Sequence, residues 1–174
     1  MKKLFLMGRS EAGKTSLTQA LRGEELHYIK TQYTNTNQDT IDSPGEYAES
    51  KRFGVGLACF SFEADVVALV QAADEPFNLF GPGLHSFIRR PLIGVITKID
   101  LPYANISMVE QWMINAGCER IFKVNNVTRE GISELLEYLN NDDLPRLTLE
   151  QAKFKQYLGI NDWDPLPEGV EYPE

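Results

Sequence analysis

The chain has few of the residues that build metal or disulfide frameworks. It contains two cysteines, Cys59 and Cys118, and two histidines, His27 and His85. The cysteines lie far apart among apolar neighbours, and no C-x-x-C or Cys/His spacing suggests zinc. Both are expected to be buried free thiols of a reducing compartment. An excess of positive charge is also missing: 17 Lys and Arg face 25 Asp and Glu, for a net charge of −8. That balance disfavours nucleic acid and anionic membranes as partners. No apolar run approaches the length of a membrane span. Met1-Lys2-Lys3 is followed by too short an apolar run for a secretory signal, so the expected location is the cytoplasm.

What is present is enough for one domain. A chain of 174 residues, 43% hydrophobic, can bury roughly 70% of its unfolded surface. Apolar, β-branched runs bounded by breakers predict strands at Leu4–Met7, near Thr40-Ile41, at Val66–Gln71, Leu92–Thr97 and Ile121–Val124. Helical patterns alternate with them. They cover Thr15–Leu21, about 53–62, about 108–116 with a capping box Ser107-x-x-Glu110 and a stop at Gly117, and Ile132–Leu139. This alternation predicts a three-layer α/β/α fold with a mainly parallel sheet, and ligands at the carboxyl ends of its strands. Residues 74–91 carry Gly81-Pro82-Gly83 and are expected to form a loop with one short helix.

After Asn140 the chain holds eight acidic and three basic residues, and so −5 of the net −8. We expect a domain over 1–140 and an acidic extension over 141–174. The extension would carry a short amphipathic helix at about 149–158, where Thr148-x-x-Gln151 offers a capping box.

Residues 8–15, from Gly8 to Thr15, fit G-x-x-x-x-G-K-[ST]. They follow an apolar strand and open a helix, which is the context that gives this pattern a mechanism. Gly8 and Gly13 let the backbone approach an anion closely. The expected nucleotide-binding residues here are Gly8, Arg9, Ser10, Glu11, Ala12, Gly13, Lys14, Thr15 and Ser16, through backbone N–H groups at a helix N-terminus. Lys14 would reach the β/γ-phosphates, and the Thr15 hydroxyl would ligate Mg²⁺.

Two further motifs fall at strand ends. Asp42-Ser43-Pro44-Gly45 is a D-x-x-G. Asp42 would serve the Mg²⁺ and the Gly45 N–H the γ-phosphate. Thr97-Lys98-Ile99-Asp100 resembles the [NT]-K-x-D box of GTPases. A carboxylate at Asp100 can accept from guanine N1–H and N2–H₂ together, a donor pair that adenine lacks. The Lys98 stem would pack along the base. Thr97 replaces the usual asparagine, so one tie between this loop and the phosphate loop is expected to be weaker.

In this order the motifs resemble those of small P-loop GTPases over about 1–140. The chain is most similar to a narrower family, the EutP/PduV proteins of ethanolamine and propanediol utilisation. The resemblance rests on Gly8–Ser16, Leu26–Gln32, Asp42–Tyr47, Glu63–Val70 and Arg90–Lys98. It implies a Ras-like fold with a truncated switch hairpin. It also implies GTP or GDP with Mg²⁺ as ligands, ATP as the rival nucleotide, and an association with bacterial microcompartments, through their shells or enclosed enzymes. Thr31 becomes the switch-like metal ligand, with Thr34 and Thr36 as rivals.

Departures from the family pattern shape the expected activity. Glu46 stands where many GTPases place a water-orienting glutamine. A carboxylate only accepts hydrogen bonds and adds charge near the γ-phosphate, so hydrolysis is expected to be slow, with Lys14, Gly45 and Glu46 as its catalytic residues. The base-cradling loop after the last strand reads Asn125-Asn126, a degenerate form in which a backbone N–H at Asn126 would serve guanine O6. Two other functions stay open. One is a nucleotide-dependent interaction module without turnover. The other is a small-molecule phosphotransferase of the acetate kinase type, although no acceptor pocket or lid is legible.

Overall fold

The computed structural model describes residues 1–27, 35–36, 40–42, 63–88, 90–141, 154, 157–158 and 166–172. In chain order, β1 (Leu4–Met7) leads to α1 (Lys14–Arg22), then β2 (Asn35–Thr36), β3 (Thr40–Asp42) and β4 (Val66–Ala72). A short 3₁₀ turn at Leu84–Phe87 precedes β5 (Leu92–Thr97), α2 (Ile106–Ala116), β6 (Arg120–Lys123) and α3 (Ile132–Asn140). The predicted strands and the first, third and fourth helices lie within two residues of these bounds. The expected helix at 53–62 lies outside the described residues, as do Thr31, Thr34, Gly45 and Glu46.

The sheet runs β2-β3-β1-β4-β5-β6. Every pairing is parallel except β2 with β3, a hairpin whose first arm is two residues long. Burial on both faces explains why β1, β4 and β5 are continuous apolar runs rather than alternating ones. Their pleat sends successive side chains to opposite faces. Leu4, Leu6, Ala68, Val70, Ile93, Val95 and Phe122 pack with Leu17 and Leu21 of α1 and Leu135 and Leu139 of α3. Phe5, Met7, Val67, Leu69, Leu92 and Ile96 pack on the other face, with Val109, Met113 and Ala116 of α2 and with Phe80, Leu84 and Ile88. Among the described residues, two helices cover one face, and one helix with residues from the 74–91 segment covers the other. This is a three-layer α/β/α P-loop fold.

One detail of the sequence-based expectation is corrected. The cap of α2 is Asn105, whose side-chain oxygen accepts from the Met108 N–H at 3.1 Å, and not Ser107, which lies inside the helix. The S-x-x-E pattern misleads because an asparagine two residues earlier reaches the third helical N–H first. Gly117 ends the helix in the left-handed conformation, as expected.

By its internal contacts the chain divides into two units, Met1–Asn140 and Asn141–Glu174. Within the second, Phe154 and Tyr157-Leu158 are helical, and the rings of Phe154 and Tyr172 stand 6.0 Å apart. The remainder of the expected 149–158 helix lies outside the described residues.

Candidate nucleotide-binding site

The loop between β1 and α1 is shaped by its two glycines. A Cβ at Gly8 would run into the carbonyl oxygen of Val70 on β4, so only glycine lets the chain leave β1 so close to its neighbour. Gly13 takes φ 91°, and Glu11 also has a positive φ, 64°. The turn closes through the Ala12 N–H, which donates to Arg9 O at 3.2 Å. The N-cap residue, Gly13, has no side chain with which to cap the start of α1. The first N–H groups of that helix therefore follow the loop with the dipole that favours an anion.

Lys14 opens α1 and is buried, at 6% exposure. Its ammonium donates to Gly8 O and Arg9 O, both at 2.9 Å. The side chain thus folds back over the loop its own helix begins. A phosphate oxygen would be a stronger partner for an ammonium than a neutral carbonyl. The Arg9 guanidinium lies 5.0 Å from the centroid of the half-exposed Phe77 ring, a cation–π contact. Ser10, Thr15 and Ser16 are half-buried, and Glu11 is exposed.

The loop after β5 reaches the same place. Ala73 N–H donates to Thr97 O at 2.9 Å, and Asn105 N–H to Ala73 O at 2.7 Å, so both ends of the 98–104 segment are anchored on the end of β4. Lys98 has φ 55° and is half-exposed, with its ammonium 4.0 Å from an Asp74 oxygen; Asp100 is exposed in the turn that follows. Asp74, next to the end of β4, is a partner for Lys98 that no motif announced.

Here the expected weak tie is corrected. Thr97 is fully buried, and its hydroxyl donates to Ala12 O at 2.6 Å. The shorter side chain still fastens the β5 loop to the phosphate loop, because the two backbones approach closely enough for a hydroxyl to span them.

The loop after β6 is also more ordered than its sequence suggests. Asn125 Oδ1 accepts from Val127 N–H at 2.9 Å and Thr128 N–H at 3.1 Å, an Asx turn. Asn126 Nδ2 donates to Gly13 O at 3.1 Å. Sequence reasoning gave Asn126 a role through its backbone and missed this side-chain contact, which joins residues 113 apart.

Asp42 ends β3 opposite Leu6 of β1, one residue short of the end of that strand. Among the described residues, no group of three or more His, Cys, Asp or Glu could hold a metal by itself. The expected Mg²⁺ does not require one. Mg²⁺ bound with phosphates keeps several waters and takes one or two protein oxygens. The placement of Thr15 in the first turn of α1 and Asp42 at the adjacent strand end fits that demand. Among the described residues no helix is long and apolar enough to cross a membrane.

The backbone and side chains thus bring the phosphate loop, Thr97–Asp100 and Asn125-Asn126 to one edge of the sheet. Comparison with known proteins agrees with this layout. The family model described as ethanolamine utilisation - propanediol utilisation matches residues 1–141. The propanediol utilization protein PduV of Citrobacter freundii is 43% identical over 149 residues, which is 85% of this chain and 99% of that protein. A protein of Escherichia coli K12 named "Probable acetate kinase EutP" is 30% identical over 142 residues, 80% of this chain and 89% of that one. Translation initiation factor IF-2 of Petrotoga mobilis is 27% identical over 158 residues, a match that takes in 22% of that longer protein. With a family model spanning the whole first unit and a near full-length relative above 40% identity, the chain belongs to the PduV-EutP family of propanediol and ethanolamine utilisation proteins.

Proposed function

We propose that this protein binds a guanine nucleotide with Mg²⁺ and hydrolyses GTP slowly, in the service of bacterial microcompartment metabolism of propanediol or ethanolamine. The observation that carries the reading is the joint between three loops. Carbonyls of Ala12 and Gly13 in the phosphate loop accept from Thr97 and Asn126. A phosphate site and two base-side loops locked together make sense for a ligand with a phosphate at one end and a base at the other.

In this reading the loop N–H groups and Lys14 hold the phosphates, and Thr15 and Asp42 serve the Mg²⁺. When bound, that ion would neutralise charge on the phosphoryl group being transferred. Asp100 selects guanine, and the backbone of Asn126 meets the base. Gly45 and Glu46 bear on the γ-phosphate and on the attacking water. The net charge of −8 leaves the anion to local backbone dipoles and one lysine, not to a basic surface.

A second reading is phosphoryl transfer from ATP to a small carboxylate such as acetate. Relatives 30% and 33% identical that bear the name "Probable acetate kinase EutP" favour it. One experiment separates the two. Single-turnover assays with γ-labelled GTP and ATP, with and without acetate, are run on wild type, Lys14→Ala and Glu46→Gln. The proposal expects inorganic phosphate from GTP, independent of acetate and reduced at least about 100-fold in Lys14→Ala, a loss of the order that follows removal of a transition-state charge contact. Label in acetyl phosphate, from ATP, would establish the kinase instead. Tight binding with no turnover would leave an interaction module.

A further inference from the structure

Two side chains fasten consecutive carbonyls of the loop between β1 and α1. Thr97 Oγ1 donates to Ala12 O at 2.6 Å, and Asn126 Nδ2 donates to Gly13 O at 3.1 Å. A carbonyl only accepts, so the nitrogen of the Asn126 amide must face Gly13. Gly13 O also accepts from the Leu17 N–H at 2.8 Å, which completes its two positions. The other half of the same amide, Oδ1, is buried and accepts no hydrogen bond from the described residues. Asn126 as a whole is only 9% exposed.

A buried amide satisfied on one side only is a poor choice for stability. The stranded oxygen costs about what the single hydrogen bond returns. An alanine would strand nothing, since Gly13 O would keep the Leu17 N–H. Such a local conflict marks a position held for something other than the fold.

We infer that Asn126 is a positioning residue for the base end of the site, and that selectivity for a whole nucleotide over its bare polyphosphate depends on it. The inference rests on the nucleotide reading above. Thr97 stands where GTPases have asparagine, and its one hydroxyl donor is committed to Ala12 O. It fastens the loop after β5 to the phosphate loop and has no second donor hydrogen to spare. Asn126 fastens the loop after β6 to the next carbonyl along. The amide missing from the first loop is supplied by the second. The backbone N–H of Asn126, which would meet the purine, is thereby held at a set distance from the phosphates. Pre-setting that distance cuts the ordering cost of binding.

The two ties divide the labour. With Asn126 gone, Thr97 still anchors the phosphate loop, and Lys14 still bonds Gly8 O and Arg9 O at the loop's start. Loss of Asn126 should therefore be felt by the base and not by the phosphates. Loss of Thr97 should be felt by both.

The test is calorimetric titration of the full chain, with Mg²⁺, against GDP, ADP and pyrophosphate. Asn126→Ala should lose roughly tenfold in affinity for the preferred nucleotide, the size of one hydrogen-bonded tie, while pyrophosphate changes less than about twofold. Asn126→Asp matches the native residue in size but turns an oxygen toward Gly13 O. It should lose at least as much, which a merely volumetric role would not produce. Thr97→Val should weaken nucleotide and pyrophosphate together. If Asn126→Ala does not fold, Asn126→Ser carries the same ratio. Equal losses for nucleotide and pyrophosphate in Asn126→Ala or Asn126→Ser, or an unchanged nucleotide preference, would overturn this inference alone. A wild type that binds pyrophosphate as tightly as either nucleotide would overturn the nucleotide reading too.

Discussion

At the residue scale, Lys14 is held by the loop that its own helix follows. Its ammonium is buried and holds the carbonyls of Gly8 and Arg9. A buried charge is tolerable only with partners, and these two loop carbonyls are among them. Cys118 is the opposite case, a titratable group the site does not use. Burial pushes its thiol far above the ordinary range, and the neighbouring Glu119 carboxylate adds to the effect. The folded state keeps this proton while the unfolded chain gives it up above a pH of about 8.5. The folded state then binds more protons, so this group's contribution is present below that pH and is lost as pH rises. Urea midpoints taken at pH 7 and pH 9.5 should fall more for wild type than for Cys118→Ala. Equal falls would mean the thiol is not desolvated. The motif residues of the phosphate loop were legible in the sequence because their chemistry is local. The Thr97 and Asn126 contacts were not, since each depends on how closely two backbones approach, and sequence spacing does not carry that distance.

At the scale of elements, strand and helix positions followed from apolar runs and from punctuation. β4 and β5 are buried on both faces and read as unbroken hydrophobic stretches. Gly117 stops α2 as a left-handed cap. The start of α2 was misread because two capping patterns overlap there, Asn105 and Ser107. Asn105 prevails because its backbone N–H is already held by Ala73 O at 2.7 Å, which places its side chain over the first turn. Asn105→Ala should cost about 1 kcal/mol in urea denaturation, and Ser107→Ala less than about 0.5 kcal/mol. The reverse order would restore the capping box. The same anchor has a functional side. It pins the far end of the 98–104 segment, so the cap of α2 also steadies the loop that carries Lys98 and Asp100.

At the scale of the molecule, the parallel order β3-β1-β4-β5-β6 sends the ends of β1, β3, β5 and β6 to one edge. All the motif residues within the described part of the first unit lie there, which is where an open α/β sheet binds its ligands. The acidic balance of the chain argues that affinity is built locally at this edge. The central claim is that the edge holds a guanine nucleotide, with Asp100 as the group that rejects adenine. Equilibrium competition of GTP against ATP, at fixed Mg²⁺ on the full chain, tests this most directly. GTP should displace ATP with at least a tenfold advantage, the scale of one charge-assisted donor pair, and Asp100→Ala should remove most of it. ATP binding as tightly as GTP, or more tightly, would contradict it.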